Sequence, residues 1–255
     1  MRHVRIAVHT KACVETLGTR PGLEAIARAG FGVVVIWPGE RGEHLDSIEL
    51  AGRLGLEIAY VALPKLPGLR DRPDHALAPW VARVTARGVT RLSLIFGDTA
   101  DTTASALAWD RLAAWLSSLG SSVAIENNAR PSELFSQPAM IAALLARVPS
   151  LGTTLDVGHL AASGHAIGEL DALLPRVVAV EAHDNDTVED LHLPFGLGTG
   201  AGRACDTLRA LPLEPELVVI ETDPRAGKHP RRWVRALRAD RQRVGAIMHG
   251  PELVA

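Results

Sequence analysis

Cysteine is nearly missing from this chain of 255 residues: Cys13 and Cys205 are its only two. They stand far apart and in no paired motif. That excludes a disulfide scaffold and a thiolate-ligated structural zinc. Lysine is almost as scarce, with three residues against 24 arginines, a bias attributed to genome composition. An excess of one charge is also lacking. The 27 basic and 29 acidic residues leave a formal net charge of −2, so no bulk field draws the chain to nucleic acid or to a membrane surface. A nucleic-acid partner is not expected on that ground, although overall balance says nothing of a local basic groove. No run of about eighteen apolar residues is present, which excludes a membrane-crossing helix. Met1-Arg2-His3 leads directly into the apolar Val4–Val8, without the longer apolar core and cleavage site of a signal peptide, and a cytoplasmic location is expected. With 47% hydrophobic and 22% charged residues, the composition is globular rather than disordered or collagenous. The length suffices to bury a core without covalent staples.

What is present is a rhythm. Eight short, β-rich apolar runs recur: Arg5–His9, Gly32–Trp37, Leu56–Val61, Arg91–Phe96, Ser122–Glu126, Thr153–Asp156, Val177–His183 and Leu217–Glu221. Their mean spacing of about 30 residues is that of a βα unit. Continuous apolar character, as in Val33-Val34-Val35-Ile36, suits strands buried on both faces of a parallel sheet. Amphipathic segments alternate with them at 22–29, 45–54, 74–87, 101–119, 139–148, 166–174, 203–211 and 229–241. The expected fold is α/β, and eight units favour a closed (β/α)8 TIM barrel over an open doubly wound sheet. No linker divides residues 1–255, so one domain is expected. The longest irregular stretch, Asp184–Gly202, comes after the seventh run, and a loop of that length suggests a function.

Barrels of this kind carry their chemistry at the C-terminal ends of the strands. The first run ends on His9, with Lys11 just beyond; the second on Trp37. The third passes Tyr60 to Ala62-Leu63-Pro64, and the fourth reaches Phe96-Gly97-Asp98. The last four end on Glu126-Asn127-Asn128, Asp156-Val157-Gly158-His159, Glu181-Ala182-His183-Asp184 and Glu221-Thr222-Asp223. Each of these four ends offers a metal-capable side chain. Taken singly, each is a polar strand end held in its loop. Together, Glu126, Asp156, His183 and Glu221 bring three carboxylates to one rim, where like charges repel unless a cation neutralises them. Three oxygen ligands and an imidazole suit one divalent ion: Mn, Mg, Co, Fe or Zn.

The order Glu–Asp–His–Glu on strands five to eight resembles the xylose isomerase-like barrel superfamily. The pieces that carry the likeness are Ile125-Glu126-Asn127, Leu155-Asp156-Val157-Gly158-His159, His183-Asp184-Asn185-Asp186 and the stretch Asp190-Leu191-His192-Leu193-Pro194-Phe195-Gly196-Leu197-Gly198. They lie in the C-terminal half. That superfamily includes sugar-phosphate isomerases and epimerases, hydroxypyruvate isomerase, inosose dehydratase and endonuclease IV. The resemblance implies that Glu126, Asp156, His183 and Glu221 hold the metal, with Glu126 and Glu221 doubling as an acid/base pair. It places His159 at a position that touches substrate in the epimerases and a further metal in the endonuclease. His159, Asp190 and His192 match the endonuclease pattern for an additional zinc; alternatively they order the long loop or contact substrate. The endonuclease also carries histidines after strands three and four, and this chain has none there.

His9, Lys11, Trp37, Asp98, Asn128 and Arg225 are the remaining candidates for substrate contact, with Arg225 and Lys228 suited to an anionic group. Tyr60 and Phe96 are candidate cavity walls. Gly196–Gly202 lacks the ending of a phosphate-binding P-loop and reads as a flexible turn. Trp80, Trp109 and Trp115 lie on helix stripes and read as core. The tail holds an apolar segment, Val244–Met248, suited to docking on its own barrel or on a second copy. The expected reaction is metal-assisted proton transfer on a small sugar, keto-sugar, inosose or hydroxy-keto-acid: isomerisation, epimerisation or dehydration. A metal-dependent phosphoester hydrolase and a non-catalytic metal-binding or ligand-binding barrel are the alternatives.

Overall fold

The computed structural model describes residues 4–65, 73–97, 106–119, 122–130, 133–225 and 227–249. The apolar runs become eight strands: β1 Arg5–His9, β2 Val33–Ile36, β3 Glu57–Ala62, β4 Arg91–Leu94, β5 Ser122–Glu126, β6 Gly152–Asp156, β7 Val177–Ala182 and β8 Leu217–Ile220. Each strand pairs in parallel with the next, and β8 returns to β1 with Arg5 opposite Leu217 and Val8 opposite Ile220. The ring is closed, so no sheet edge is left unpaired. This is the expected (β/α)8 barrel.

The helices on the outside are α1 Lys11–Leu17, α2 Thr19–Arg28, α3 Ser47–Arg53, α4 Pro73–Thr85, α5 Ala106–Ser118, α6 Pro138–Arg147, α7 Val157–Ser163, α8 Ala204–Ala210 and α9 Pro230–His249. Two were not expected, α1 and α7. The expected helix over 166–174 is instead two 3-10 turns, Ile167–Leu170 and Leu174–Arg176. The reason is local. The β6 strand passes directly into α7, whose N-cap is the last strand residue: the Asp156 carboxylate accepts a hydrogen bond from the His159 amide at 2.8 Å. Helix then starts at once, and the chain beyond Gly164 needs only short turns to reach β7. Residues 101–105, at the start of the helix expected over 101–119, and Gly120 just after it lie outside the described residues.

Side chains alternate along the strands. Val34, Ile36, Leu92, Leu94, Ile125, Leu155, Val180, Val218 and Ile220 face outward into the main core beneath the helices. Each such burial contributes about 1.5–3 kcal/mol relative to exposure. The barrel interior is lined by smaller groups, Ala7, Val35, Ala59, Ala62, Ala179 and Val219, with Tyr60 among them. Two irregularities set which side chains point in. Between β2 and β3 the pairing shifts from Val34–Ile58 to Val35–Tyr60, so Ala59 is an extra residue and Tyr60 turns inward. Between β6 and β7 it shifts from Thr153–Val177 to Thr154–Ala179, which makes Val178 the extra residue. Beyond that bulge Glu181 lies opposite Asp156 and shares its face.

α9 closes the ring. Trp233, Leu237 and Val244 are buried against the rest of the barrel, so the described part of the apolar tail docks on its own chain. Trp109 packs edge-on against Phe135 with ring centroids 5.6 Å apart. Phe96 does the same at 5.3 Å and is fully buried in the core. It is therefore core, not a cavity wall.

Candidate metal centre

Asp156 sits at the centre of the C-terminal rim. One of its carboxylate oxygens, Oδ1, is committed to capping α7. The other, Oδ2, is buried without a hydrogen-bond partner among the described residues. Asn127 fixes the strand end from the side: its amide nitrogen donates to the Asp156 carbonyl at 2.9 Å, and its oxygen accepts from the Asp156 amide at 2.8 Å. The Asn127 side chain thus extends the β5–β6 pairing by one rung.

His183 comes just after β7 and faces Asp156 with Nδ1 at 3.5 Å from Oδ2. Its other nitrogen, Nε2, lies 2.9 Å from Asp190 Oδ1. A carboxylate only accepts, so Nε2 carries the proton and Nδ1 is the nitrogen left to ligate. That Nδ1 is also buried and unpartnered among the described residues. Two orphaned lone-pair donors facing each other in a buried site are the arrangement a cation satisfies. A carboxylate behind the histidine is the usual support of such a ligand. Asp156, His183 and Glu221 place one donor atom each within 4.8 Å of one another, and so do Glu126, Asp156 and His159. The four expected ligands therefore meet at one rim, as two overlapping triads that share Asp156.

Asp190 organises the other side. Its Oδ2 accepts from His159 Nε2 and from His192 Nε2, each at 3.1 Å. His159 Nδ1 donates to the Asn127 carbonyl at 2.7 Å, and His192 Nδ1 to the Glu221 carbonyl at 3.0 Å. With an acceptor at each nitrogen, both rings are held as imidazolium. Burial alone would pull both down in pKa. For His159 it is outweighed by Asp156, Asp190 and Glu126, which hold it well above the ordinary value. For His192 it is outweighed by Glu221 and Asp190, which raise it to about 9. His192 also adopts the left-handed backbone conformation, φ 49°, a strained state for a residue with a side chain that is typical of functional sites. These three residues, with His183, could equally converge on a second ion.

The two glutamates behave oppositely. Burial dominates at Glu126 and, with the nearby Glu221 and Asp156 charges, raises it to about 8 in spite of His159. Burial also opposes ionisation of Glu221, but the imidazoles of His9, His192, His183 and His159 overcome it and hold the group at about 2. His9 Nδ1 lies 3.4 Å from Glu221 Oε1. Beneath the rim the Tyr60 hydroxyl donates to Glu181, and burial together with the surrounding carboxylates keeps Glu181 well above the usual range. Sequence reasoning gave Glu181 no role and Tyr60 only that of a candidate cavity wall.

These shifts give the metal-free protein a signed pH dependence. Glu126, His159 and His192 bind protons more tightly when folded than when unfolded, so their contribution is present at low pH and lost as pH rises. For Glu126 the loss runs from 4.5 to about 8, and for His192 from 6.5 to about 9. His9, held below 6.5 by burial, works the other way, but its contribution is complete above that value. The Tm of chelator-treated protein is therefore expected to fall between pH 6.5 and 9, and a bound divalent ion to reverse the trend by taking up the deprotonated forms. A Tm that rises over this interval without metal contradicts the assignment.

The site opens into a cavity of about 640 Å³, lined by His9, Lys11, Trp37, Glu126, Asn128, His159, Asp190, His192 and Glu221 among others. Asn128 reaches the lining while its amide nitrogen is spent on the Phe96 and Leu134 carbonyls. Asp98 lies outside the described residues. Arg225 and Lys228 are exposed and line no part of the cavity. They are therefore not among the groups brought to the cavity as an anion site. Tyr60 lies below, inside the barrel. The glycine loop is not a flexible turn: the Asp184 carboxylate accepts from the amides of Gly196 at 2.7 Å, Gly198 at 2.9 Å and Ala204 at 2.9 Å. Those amides are thereby unavailable to a phosphate. A side chain at Gly202 would meet the Asn185 carbonyl at 2.2 Å, so the loop packs closely under His183-Asp184-Asn185.

Comparison with known proteins agrees with this architecture. The family model described as xylose isomerase-like TIM barrel matches residues 23–241. A search of curated protein sequences finds no match. Among solved structures, a D-tagatose 3-epimerase-like protein is 19% identical with a TM-score of 0.70, covering 96% of this chain and 98% of its own. The IolI protein with a bound zinc atom is 15% identical with a TM-score of 0.71 and the same coverage of 96% and 98%. An AP endonuclease, family 2, from Brucella melitensis is 17% identical with a TM-score of 0.64, over 93% and 97% of the two chains. At such identities the neighbours establish the fold alone. The chain belongs to the xylose isomerase-like TIM barrel family.

Proposed function

We propose that this protein is a divalent-metal-dependent isomerase or epimerase that moves a proton on a small hydroxy-carbonyl compound: a sugar, keto-sugar, inosose or hydroxy-keto-acid. The observation that carries this reading is the facing pair of orphaned donors, Asp156 Oδ2 and His183 Nδ1, flanked by two glutamates of opposite protonation. Asp156, His183 and Glu221 would hold the ion, with Glu126 beside it and free to carry a proton. When bound, such an ion supplies Lewis acidity toward a carbonyl and its neighbouring hydroxyl.

The chain's own residues supply the proton transfers. Glu221 is ionised across the physiological range and serves as the base that takes the proton from the carbon beside the carbonyl. Glu126 holds a proton up to about pH 8 and returns one. Environments that push two carboxyls apart in this way separate acid from base. Return to the neighbouring carbon gives the isomer, and return to the opposite face gives the epimer. Loss of a β-hydroxyl gives dehydration, a variant of the same first step. His159 lines the cavity, and a substrate oxygen would take its Nε2–H in place of Asp190.

A second reading is a phosphoester hydrolase with two or more ions, favoured by the His159–His183–Asp190–His192 cluster. In the metal-free protein, protons on His159 and His192 already compensate Asp190, and a second ion would have to displace them.

Elemental analysis of protein purified without chelator, followed by incubation with ketoses, inososes and keto-acids in D2O, tests the proposal. About one divalent ion per chain is expected, with deuterium entering the carbon beside the carbonyl. Two or three zinc ions, with cleavage of phosphoesters or abasic DNA and no deuterium exchange, would support the hydrolase. Metal uptake with neither activity would leave a binding barrel, and no uptake would remove the basis of both enzyme readings.

A further inference from the structure

In a chain that uses arginine at 24 of its 27 basic positions, two of the three lysines line the cavity of the candidate site. They are Lys11, immediately after β1, and Lys65, after β3. Their surroundings differ. Lys65 Nζ is held 2.6 Å from the buried Glu133 carboxylate. Lys11 is half-buried, forms no ion pair with any described carboxylate, and lies with Nζ 5.6 Å from the centre of the Trp37 ring. Glu40 and Glu189 also line the cavity, but both are exposed and neither pairs with Lys11. Glu126, Asp190 and Glu221 line one side of the cavity, with Arg130 at its exposed rim, while on the opposite side Lys65 is compensated by Glu133 and Lys11 is the cation with no described carboxylate paired to it.

An ammonium partly withdrawn from water lacks the solvation it would have outside and gains most from a compact anion. Its ammonium lies over the Trp37 ring face, which has no acceptor lone pair and leaves the N–H groups for the cavity. Lysine suits this place better than arginine because it is a small point charge with rotatable donors, able to follow a substrate group rather than impose a planar fork. The scarcity of lysine elsewhere makes its use here a feature of the site rather than of composition.

We propose that Lys11, seated over Trp37, receives an anionic group of the substrate, a carboxylate or a phosphate monoester. The protein then prefers sugar acids, keto-acids or sugar phosphates to the corresponding neutral sugars. This rests on the cavity being the active site of the proton-transfer reaction proposed above.

Two measurements test it. In the first, metal-loaded protein is given matched substrates in D2O, each neutral ketose beside its terminal phosphate and its terminal carboxylate. At least a tenfold preference in kcat/KM for one anionic series is expected. Lys11→Gln should collapse that ratio at least tenfold, chiefly through KM, and Lys11→Arg should restore part of it. An equal preference in the parent protein, or a proportional fall for neutral and anionic members, overturns the proposal.

The second measurement does not depend on turnover. Calorimetric titration with inorganic phosphate and with acetate should show binding to the parent protein at least tenfold tighter than to Lys11→Gln, with metal content equal in the two. Equal affinity, or no binding to the parent, overturns the subsite. If no substrate exchanges deuterium, the reaction assignment fails and the titration alone decides on Lys11. The stronger of the two anions identifies the source as phosphate or carboxylate.

Discussion

Glu221→Gln is expected to abolish both deuterium exchange into substrate and product formation. Glu126→Gln is expected to lower product formation by about 10³-fold yet leave exchange detectable. The asymmetry arises from the two environments. Glu221 is kept ionised by four surrounding imidazoles, with its carboxylate held at about 2, so it is ready to accept a proton. Glutamine there cannot accept one, and no other described carboxylate at the rim combines ionisation with cavity access in the same way. Asp156 is fully buried and does not line the cavity, and Asp190 is spent on three imidazoles. Glu126 is raised to about 8 chiefly by burial and enters as a donor. Without it the first step still runs and reverses through Glu221, so solvent deuterium is incorporated while net conversion stalls. For the reverse substrate the roles exchange. Glu221 is also a proposed ligand and Glu126 lies beside the ion, so the variants are compared at saturating metal, with metal content and Tm measured in parallel. If both retain full conversion with metal bound, the acid/base assignment falls. If both lose exchange equally, Glu126 is needed for the first proton abstraction as well, and the division of roles falls.

The strands were readable because burial on both faces demands continuous Val, Ile and Leu. The runs Arg5–His9 and Ser122–Glu126 coincide with β1 and β5 to the residue. Which side chains face inward was less accessible. A period of two fixes alternation within a strand, but the bulges at Ala59 and Val178 reset the phase part-way along β3 and β7. Tyr60 and Glu181, which meet across 121 positions of sequence, depend on both resets. The unexpected α7 has a similar cause. Its cap is the strand's own Asp156, and a glycine stands in its first turn, so none of the usual start signals is separate from the strand. The glycine loop read as flexible because the carboxylate that organises it, Asp184, lies 12–20 residues away in sequence. Lys11 was a candidate by position alone. That it lacks a partner while Lys65 has one is a tertiary fact, visible only once Glu133 is brought across from the β5–α6 loop.

Gly158→Ala is expected to weaken divalent-metal binding by about 10- to 100-fold or more, the range seen when the support of a ligating histidine is disturbed. Gly158 has ordinary helical geometry, so its glycine is required by space and not by backbone angle. A Cβ there would lie 2.2 Å from His183 Nε2 and 2.6 Å from both ring carbons beside it. The imidazole is fully buried and held from behind by Asp190, so it cannot retreat without breaking that hydrogen bond. Tilting instead carries Nδ1 away from Asp156 Oδ2. Either response separates the two orphaned donors on which the metal assignment stands, and overpacking adds a stability cost of about 1–3 kcal/mol. The comparison is Gly52→Ala in α3, where an added methyl meets nothing within 4 Å. There, higher helix propensity should raise stability by up to about 1 kcal/mol, with metal affinity as in the parent. Titration of both variants with Mn and Zn, alongside thermal melts without metal, reads the two effects separately. Parent-like affinity in Gly158→Ala would mean that His183 is not a ligand, and the candidate centre would then shift to Glu126, Asp156 and His159.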